Sequence, residues 1–422
     1  MGRPPFYQRE NEGETMAADL AARAREKGWP DGLLARAQAH FSDWELENLF
    51  LAANARPQAE LERELDVRER TAKGPFRIRE MNARDAYGLS ELWAHAPEAL
   101  GEWSVTVERS PNPMAQFTLH DDCCITVLEE GGKLFACTAW SHRNVNVAGA
   151  PTKILVAHSL RVHESRRGER LADLVRRYPI RATFAKPTMA QYMYVRRDNA
   201  NVLGFMKTVA PQTFSNVGVA GVVTEVSIFP ARAGAAPAGV RKVERADLAA
   251  CVPLINRTHG ALDLFGTYTE ENLALRLGQT YPGQAPPPEA WRHVYGWQDY
   301  WVLEESGRIV ACGGLWDRGR DVREVWRHKG GETRTLAFTN LLDFGFAEGG
   351  EDAMARLIGH FISETARLER HSFVAPLDRL PALAAACASF EPRIEGRTFE
   401  WSPFIPQAPR VIAAPYTDLR YW

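Results

Sequence analysis

The chain has 422 residues, enough for two or three domains with full cores. Its 51 Lys and Arg against 53 Asp and Glu leave a net charge of −2, so no basic face calls for nucleic acid or a membrane surface, and neither is expected as a partner. No run approaches the roughly 18 apolar residues of a spanning helix, and six cysteines without C-x-x-C or zinc-like His spacing predict buried thiols in a reducing cytoplasm and no metal. The start, Met1-Gly2-Arg3-Pro4-Pro5, lacks the apolar segment of a secretory signal. Phe6 stands where a myristoylation motif needs Ser or Thr.

Residues 1–16 are polar and predict a disordered tail. Residues 17–74 predict a small helical segment: Met16 to Lys27 is Ala-rich, Pro30-Asp31 opens a second helix, and Ser42-Asp43-Trp44-Glu45 has capping-box form. Phe41, Trp44, Leu46, Leu49 and Phe50 give it an apolar face for docking, and the charged stretch Glu60 to Lys73 leads onward. A first αβ unit spans 75–230: strand 76–81, helix 84–96, hairpin 124–141, strand 153–162, helix 167–178, strand 189–196, a short helix to Gly204-Phe205, and closing strands. Residues 231–239, rich in Ala, Gly and Pro, read as a linker. A second unit spans 240–404, with a Pro-rich loop at Gln284 to Pro288, and the tail 405–422 reads as irregular. The class is α+β, two tandem mixed-sheet domains with flanking helices behind a helical N-terminal segment.

The two units repeat one another. Val127 to Cys137 reads V-L-E-E-G-G-K-L-F-A-C and Val302 to Cys312 reads V-L-E-E-S-G-R-I-V-A-C. Each is a β-hairpin pattern of two apolar runs about an acidic pair and a Gly turn, and each precedes a Trp, Trp140 or Trp316. Upstream, Phe76 to Glu80 with Arg84-Asp85 matches Val240 to Glu244 with Ala246-Asp247. A motif found in one copy therefore separates a working half from a supporting half.

That motif is Leu160-Arg161-Val162-His163-Glu164-Ser165-Arg166-Arg167-Gly168-Glu169-Arg170-Leu171-Ala172. A strand runs into a turn with Arg166, Arg167 and Gly168 and then into a helix, whose unpaired first amides favour an anion such as a pyrophosphate. An exposed basic turn capping an ordinary helix is the alternative. The segment resembles the acetyl-CoA signature of the GCN5-related N-acetyltransferases (GNAT), L-x-V followed by R-x-x-G-x-G/A, with Leu160, Val162, Arg167 and Ala172 in place. The element order around it also resembles that family. The resemblance implies that Leu160, Arg161 and Val162 pair with the pantetheine arm of acetyl-CoA and that Arg166, Arg167, Gly168, Glu169, Arg170 and Leu171 hold its pyrophosphate. Asp198 to Phe205 is similar to the family's N-x-A…L-G-F stretch, which puts Asn199 near the thiol. Arg170 replaces the middle glycine, as in the Eis-like subgroup, and Ala200 lies where the family often has a tyrosine acid. Tyr192 and Tyr194 are the nearest substitutes.

The implied activity is acyl-CoA-dependent N-acylation, most directly N-acetylation, of an amine on a small molecule or protein, with the first unit active and the second structural. A homo-oligomer is compatible with it. His158 on the signature strand is the expected base, with Tyr192 and Tyr194 as acids, and His163 also titrates near neutrality. Glu129 and Glu130 recur in the second copy as Glu304 and Glu305, which favours a hairpin role. Trp93, Trp103 and Phe117 lie where the family shapes its acceptor site, and the carboxylate of Trp422 is a further candidate base. In the second copy, Leu341 to Ala353 has glycines but no arginine, and Glu348, Glu351 and Asp352 would repel a diphosphate. The competing reading is an inactive tandem module for protein binding or acyl-CoA sensing.

Overall fold

The computed structural model describes residues 21–26, 28–30, 32–40, 62, 65–66, 69, 74–120, 122–172, 174–175, 190–196, 217–227, 234–278, 294–377, 380–391, 393–403, 416 and 418–421, with the backbone alone for 40, 83, 190–196, 217–227, 393–403 and 421. The two hairpins form as their alternation dictates. In the first half β1 (Arg77–Glu80), β4 (Cys123–Glu130), β5 (Lys133–Val147), β6 (Ala150–Val162), β7 (Ala190–Arg196) and β8 (Val217–Ser227) follow in order. Their counterparts are β9 (Val240–Lys242), β10 (Tyr300–Glu305), β11 (Arg308–Trp316), β14 (Phe338–Phe346), β15 (Ser372–Ala375) and β16 (Arg393–Pro403). The remaining strands, β2 (Glu98–Leu100), β3 (Trp103–Arg109), β12 (Val322–His328) and β13 (Thr333–Leu336), make a small sheet of their own.

The large sheet has 12 strands in the order β1-β4-β5-β6-β7-β16-β8-β15-β14-β11-β10-β9. Exchanging each strand for its counterpart reverses this order onto itself, so the repeat seen in the sequence is a two-fold relation in the sheet. The last strand of each half is placed in the other half. β16 lies between β7 and β8, with Arg397 opposite both Arg196 and Gly221, and β8 in turn pairs with β15 through Ser227↔Ser372 to Thr224↔Ala375. The small sheet adds a second junction, because β3 and β12 pair from Val322↔Arg109 to His328↔Trp103. The halves therefore share backbone hydrogen bonds on two sheets.

One ion cluster occurs in both copies. Arg79 bonds Asp85 at 2.6 and 2.8 Å and Glu129 at 3.1 Å, and Arg241 bonds Asp247 at 2.7 and 3.0 Å and Glu304 at 3.1 and 3.2 Å. Glu129 thus pins the first strand and the following helix to the hairpin, the role its recurrence predicted.

The helices cover the sheet by their apolar stripes. Of the N-terminal segment, residues 21–26 and α1 (Leu33–His40) are helical, with Ala24, Leu33, Ala37 and Leu65 packed together. Its expected third helix, with Phe41 to Phe50, lies outside the described residues, as do 1–16 and the 284–288 loop. α2 (Ala86–Ala94) buries Leu89 and Trp93 against Val127, Cys137 and Ala139. In the second half, α3 (Leu248–His259) and α4 (Glu270–Leu277) share a core with Tyr300, Trp316, Tyr416 and Leu419. On the opposite face α5 (Glu351–Arg367) presents Met354, Leu357, Ile358, Phe361 and Ile362 at helical spacing, with α6 (Pro381–Ala386) beside it. Among the described residues no helix is long and apolar enough to cross a membrane.

Leu303 is fully buried in that second core. Leu303→Ala should cost about 2–5 kcal/mol by cavity formation, and strand exchange should spread the loss across both halves. Denaturant unfolding followed by tryptophan fluorescence and by far-ultraviolet circular dichroism should then give coincident transitions at a lower midpoint. Separate transitions would show that the halves unfold independently.

Candidate functional site

The signature strand β6 is paired on both sides for only part of its length. With β7 the register is Ile154↔Ala190, Leu155↔Gln191 and Val156↔Tyr192, in parallel, and it stops there. With β5 the pairing continues through Ala139↔His158, Cys137↔Arg161 and Ala136↔Val162, across a bulge at which Ser159 takes φ +59°. Beyond Val156, β6 and β7 therefore splay apart, with no further pairing between them among the described residues. Leu160, Arg161 and Val162, the residues expected at a pantetheine arm, lie on that stretch of β6.

The turn that follows differs from a helix beginning at Arg167. A single 3₁₀ turn spans Glu164–Arg166, capped by His163 Nδ1, which accepts from the Ser165 amide at 3.2 Å. Gly168 (φ +89°) and Arg170 (φ +59°) then take left-handed conformations, and helix is described only from residue 171. The left-handed bend delays the helix. Glycine adopts such a backbone freely, whereas Arg170 does so at a cost of about 1 kcal/mol. Leu171 and Val175 are buried against Leu128 and Ala136 and anchor the turn. Among the described residues nothing accepts from the amides of Gly168, Leu171 and Ala172. Arg166, expected to add positive charge, is instead paired with Glu130 and with Glu169, 3.2 Å away, over the Phe135 and Phe76 rings. Arg167 donates to the carbonyl of Pro97. The loop thus offers amides rather than two uncommitted guanidinium groups.

His158 sits at the bulge, where its Nε2 is 3.0 Å from Ser141 Oγ and its Nδ1 3.1 Å from Ser159 Oγ. Burial, with His120 and Arg109 close by, holds its pKa well below the usual imidazole range. The His120 ring meets it edge-on at 4.4 Å, and the ligating atoms of His120, Cys123 and His158 lie within 4.8 Å of one another. Sequence spacing missed this convergence because His158 comes from a different strand. The cation Arg109, close enough to depress both histidines, opposes a metal ion there. Tyr192 and Tyr194 lie on the β7 backbone opposite Trp401 and Phe399, Tyr192 at the final β6 pair. Asn199 and Trp422 lie outside the described residues.

Of the expected acceptor-site aromatics, Trp93 and Phe117 flank the Arg109 guanidinium at 4.0 and 4.8 Å. Trp103 stands apart on the small sheet, edge-on to Trp326 and His328. Arg109 itself was not legible in the sequence, where it reads as the polar end of a strand.

The second half has a matching splay, since β14 pairs with β15 only over Phe338↔Ser372 to Asn340↔Val374, and Asp343 at its bulge takes φ +51°. Here the protein supplies the contents. Asp343 accepts from Tyr268, from Tyr295 at 3.0 Å and from Arg420, and its carbonyl accepts from Tyr300 at 2.6 Å. Arg420 also holds Asp418 at 3.1 Å, as does Arg143 of the first half. The Arg420 carbonyl accepts from Gln116 Nε2 at 3.0 Å and meets His120 Nε2 at 2.8 Å. The chain near residue 420 therefore ties the Asp343 cluster of the second half to Gln116 and His120 of the first.

These buried groups fix an acid response. Burial pushes His120 and His259 down to about 4, despite their bonds to the Arg420 and Phe344 carbonyls. Burial would raise Asp418, but Arg420 and Arg143 hold it at about 2. A depressed histidine stays neutral in the fold while the unfolded chain takes up a proton, so stability is lost as pH falls from about 6.5 toward 4, by up to roughly 3 kcal/mol per histidine. A depressed carboxylate adds a second loss between about pH 4 and 2. Urea titrations from pH 8 to 4 should show the first decline, and His259→Gln should reduce its slope. A flat profile would mean that neither imidazole is buried in neutral form.

No protein-family model matches the sequence, and no curated protein matches it. Solved structures do. Saccharomyces cerevisiae N-myristoyltransferase with bound myristoyl-CoA aligns at a TM-score of 0.56 and 11% identity over 78% of this chain and 79% of that chain. Another structure of the yeast enzyme with myristoyl-CoA gives 0.53 at 12% identity over 82% and 88%. A GCN5-related N-acetyltransferase from Sphaerobacter thermophilus gives 0.46 at 14% identity over 82% and 99%. At such identities the likeness to the yeast enzyme speaks for architecture, and with the palindromic sheet and the signature strand it leads to one conclusion: the chain has the GNAT-type fold, built as two tandem units.

Proposed function

We propose that the protein is an acyl-CoA-dependent N-acyltransferase, most directly an N-acetyltransferase, whose first half binds the donor and whose second half supports it. The observation that carries this reading is the one-sided pairing of β6 from His158 to Val162, beside a turn whose amides at Gly168, Leu171 and Ala172 have no acceptor among the described residues. An extended amide-bearing arm fits the strand edge, and a diphosphate fits the amides. The corresponding splay of the second half is filled by Tyr268, Tyr295 and Arg420, and its helix begins with Glu351 and Asp352. That asymmetry favours donor binding by the first half alone.

In this reading the acceptor nitrogen attacks the thioester carbonyl, the carbon–sulfur bond breaks, and CoA leaves as thiolate. The strand-edge amides near Val162 receive the developing oxyanion. His158, neutral at pH 7, takes the proton lost by nitrogen, and Tyr192, on the strand beside β6, is the residue proposed to return one to sulfur. The rival reading, a non-catalytic module, draws support from Arg166, which Glu130 and Glu169 already neutralise.

Thermal and denaturant unfolding with acyl-CoAs of increasing chain length separates the two. A ligand at about 100 times its dissociation constant should stabilise the chain by about 2.7 kcal/mol. A side chain at position 168 meets nothing within 4 Å but is strained by the φ of +89°, so Gly168→Asp is compared with Gly168→Ala, which carries a similar backbone strain; the carboxylate set against the diphosphate should weaken binding by roughly a further tenfold or more. No stabilisation by any acyl-CoA, or one in Gly168→Asp equal to that in Gly168→Ala, would remove the donor site from this loop. Stabilisation without amine turnover would favour the sensing module.

A further inference from the structure

Arg109 is 2% exposed and has no carboxylate partner among the described residues. Its Nη2 donates to Gln116 Oε1 at 2.8 Å, whereas Nε and Nη1 are buried without an acceptor among the described residues. The guanidinium lies between the Trp93 and Phe117 rings. The charged groups nearest it are two more cations, Arg318 and Arg161, and the Cys137 thiol, which burial pushes up to about 12 and keeps neutral. Those two arginines have acids of their own, Glu324 and Glu98. A buried, singly bonded guanidinium beside two like charges is among the least favourable arrangements a fold can hold, and proteins retain one where an anion arrives to complete it.

From this we infer that Arg109 receives a carboxylate carried by one of the two reactants. The inference rests on the reading of the first half as an acyltransferase site and names the substrate class of that site. Three observations place the anion beside the reacting groups. Phe117, which stacks on Arg109, also stacks on His158 with centroids 6.1 Å apart. Trp93 carries Arg109 on its ring and also Arg161, a residue of the splayed part of β6, at 4.3 Å. Gln116 links Arg109 to the Arg420 carbonyl that also meets His120. Nη2 gives one of its two N–H groups to Gln116, and the other forms a fork with an N–H of Nε or of Nη1 that matches the two oxygens of a carboxylate. The negative charge would also offset the cation that disfavours protonation of His158, so the base would strengthen when the correct substrate is in place. The carboxylate comes either from the acceptor, as an amino acid, or from the acyl group, as a dicarboxylic monothioester. The chemistry at Arg109 is the same.

The test uses the full chain and matched pairs: α-amino acids against their amides, with and without CoA, and succinyl-CoA against butyryl-CoA. The charged member of one pair should raise the thermal midpoint of the wild type above its neutral partner, and that pair identifies the source. Arg109→Met should erase the difference, with binding weakened roughly tenfold or more, while keeping the shift due to CoA itself. Without ligand, Arg109→Met should unfold at a higher temperature than the wild type, because an uncompensated buried charge has been removed. Equal shifts within both pairs overturn the inference. So does a ligand-free Arg109→Met that unfolds earlier, since the cation would then be paired by a protein carboxylate outside the described residues. Loss of the CoA shift in the wild type would instead overturn the acyltransferase reading, and the amino-acid arm without CoA would still decide the carboxylate.

Discussion

The exchange of closing strands is the constraint on which the molecule depends. β8 and β16 each complete the partner half's sheet, and β16 separates β7 from its own β8. The parallel pairing of β6 with β7 is therefore set from two sides, by the hairpin of the first half and by a strand from the end of the second. The splay beyond Val156 follows from that arrangement. A two-stranded ribbon between β3 and β12 adds a second brace, so the halves cannot slide without breaking ladders on two sheets.

The two halves carry equivalent splays, and the side chains at the two bulges differ. At the first bulge Ser159 places only a small hydroxyl beside His158. Asp343 gives the second a buried charge that must be balanced, and Arg420, Tyr268 and Tyr295 fill the space in doing so. Breaking one member of such a network would strand the others at a cost of about 3–5 kcal/mol. The filled splay is thereby rigid, and it holds the 418–420 segment against Gln116 and His120 of the first half.

The features that repeat locally were legible in the sequence. Hairpin alternation and the strand-turn pattern at 160–172 depend on neighbours in the chain, and the recurrence of Glu129 as Glu304 pointed to a hairpin role, although the arginines they hold, Arg79 and Arg241, lie 50 and 63 residues away. What depended on distant contacts was not. β8 and β16 both read as closing strands, and nothing in their alternation says which sheet receives them. Arg166 looks like an available cation until β4 brings Glu130 across, and the helix expected at Arg167 is displaced because Arg170 takes a left-handed bend. Arg109 ends a strand in an ordinary polar pattern. Its isolation comes from Trp93 on one element and Phe117 on another, which no spacing rule connects.

Strand exchange also orders the birth of the protein. As the polypeptide leaves the ribosome, β7 and β8 emerge with no adjacent strand on their facing edges, because residues 393–403, which belong between them, are translated last among the described strands. Exposed edges of this kind are sticky. The nascent first half must therefore wait through the making of the 165 residues from 228 to 392, between the end of β8 at 227 and the start of β16 at 393, before β16 can enter its sheet.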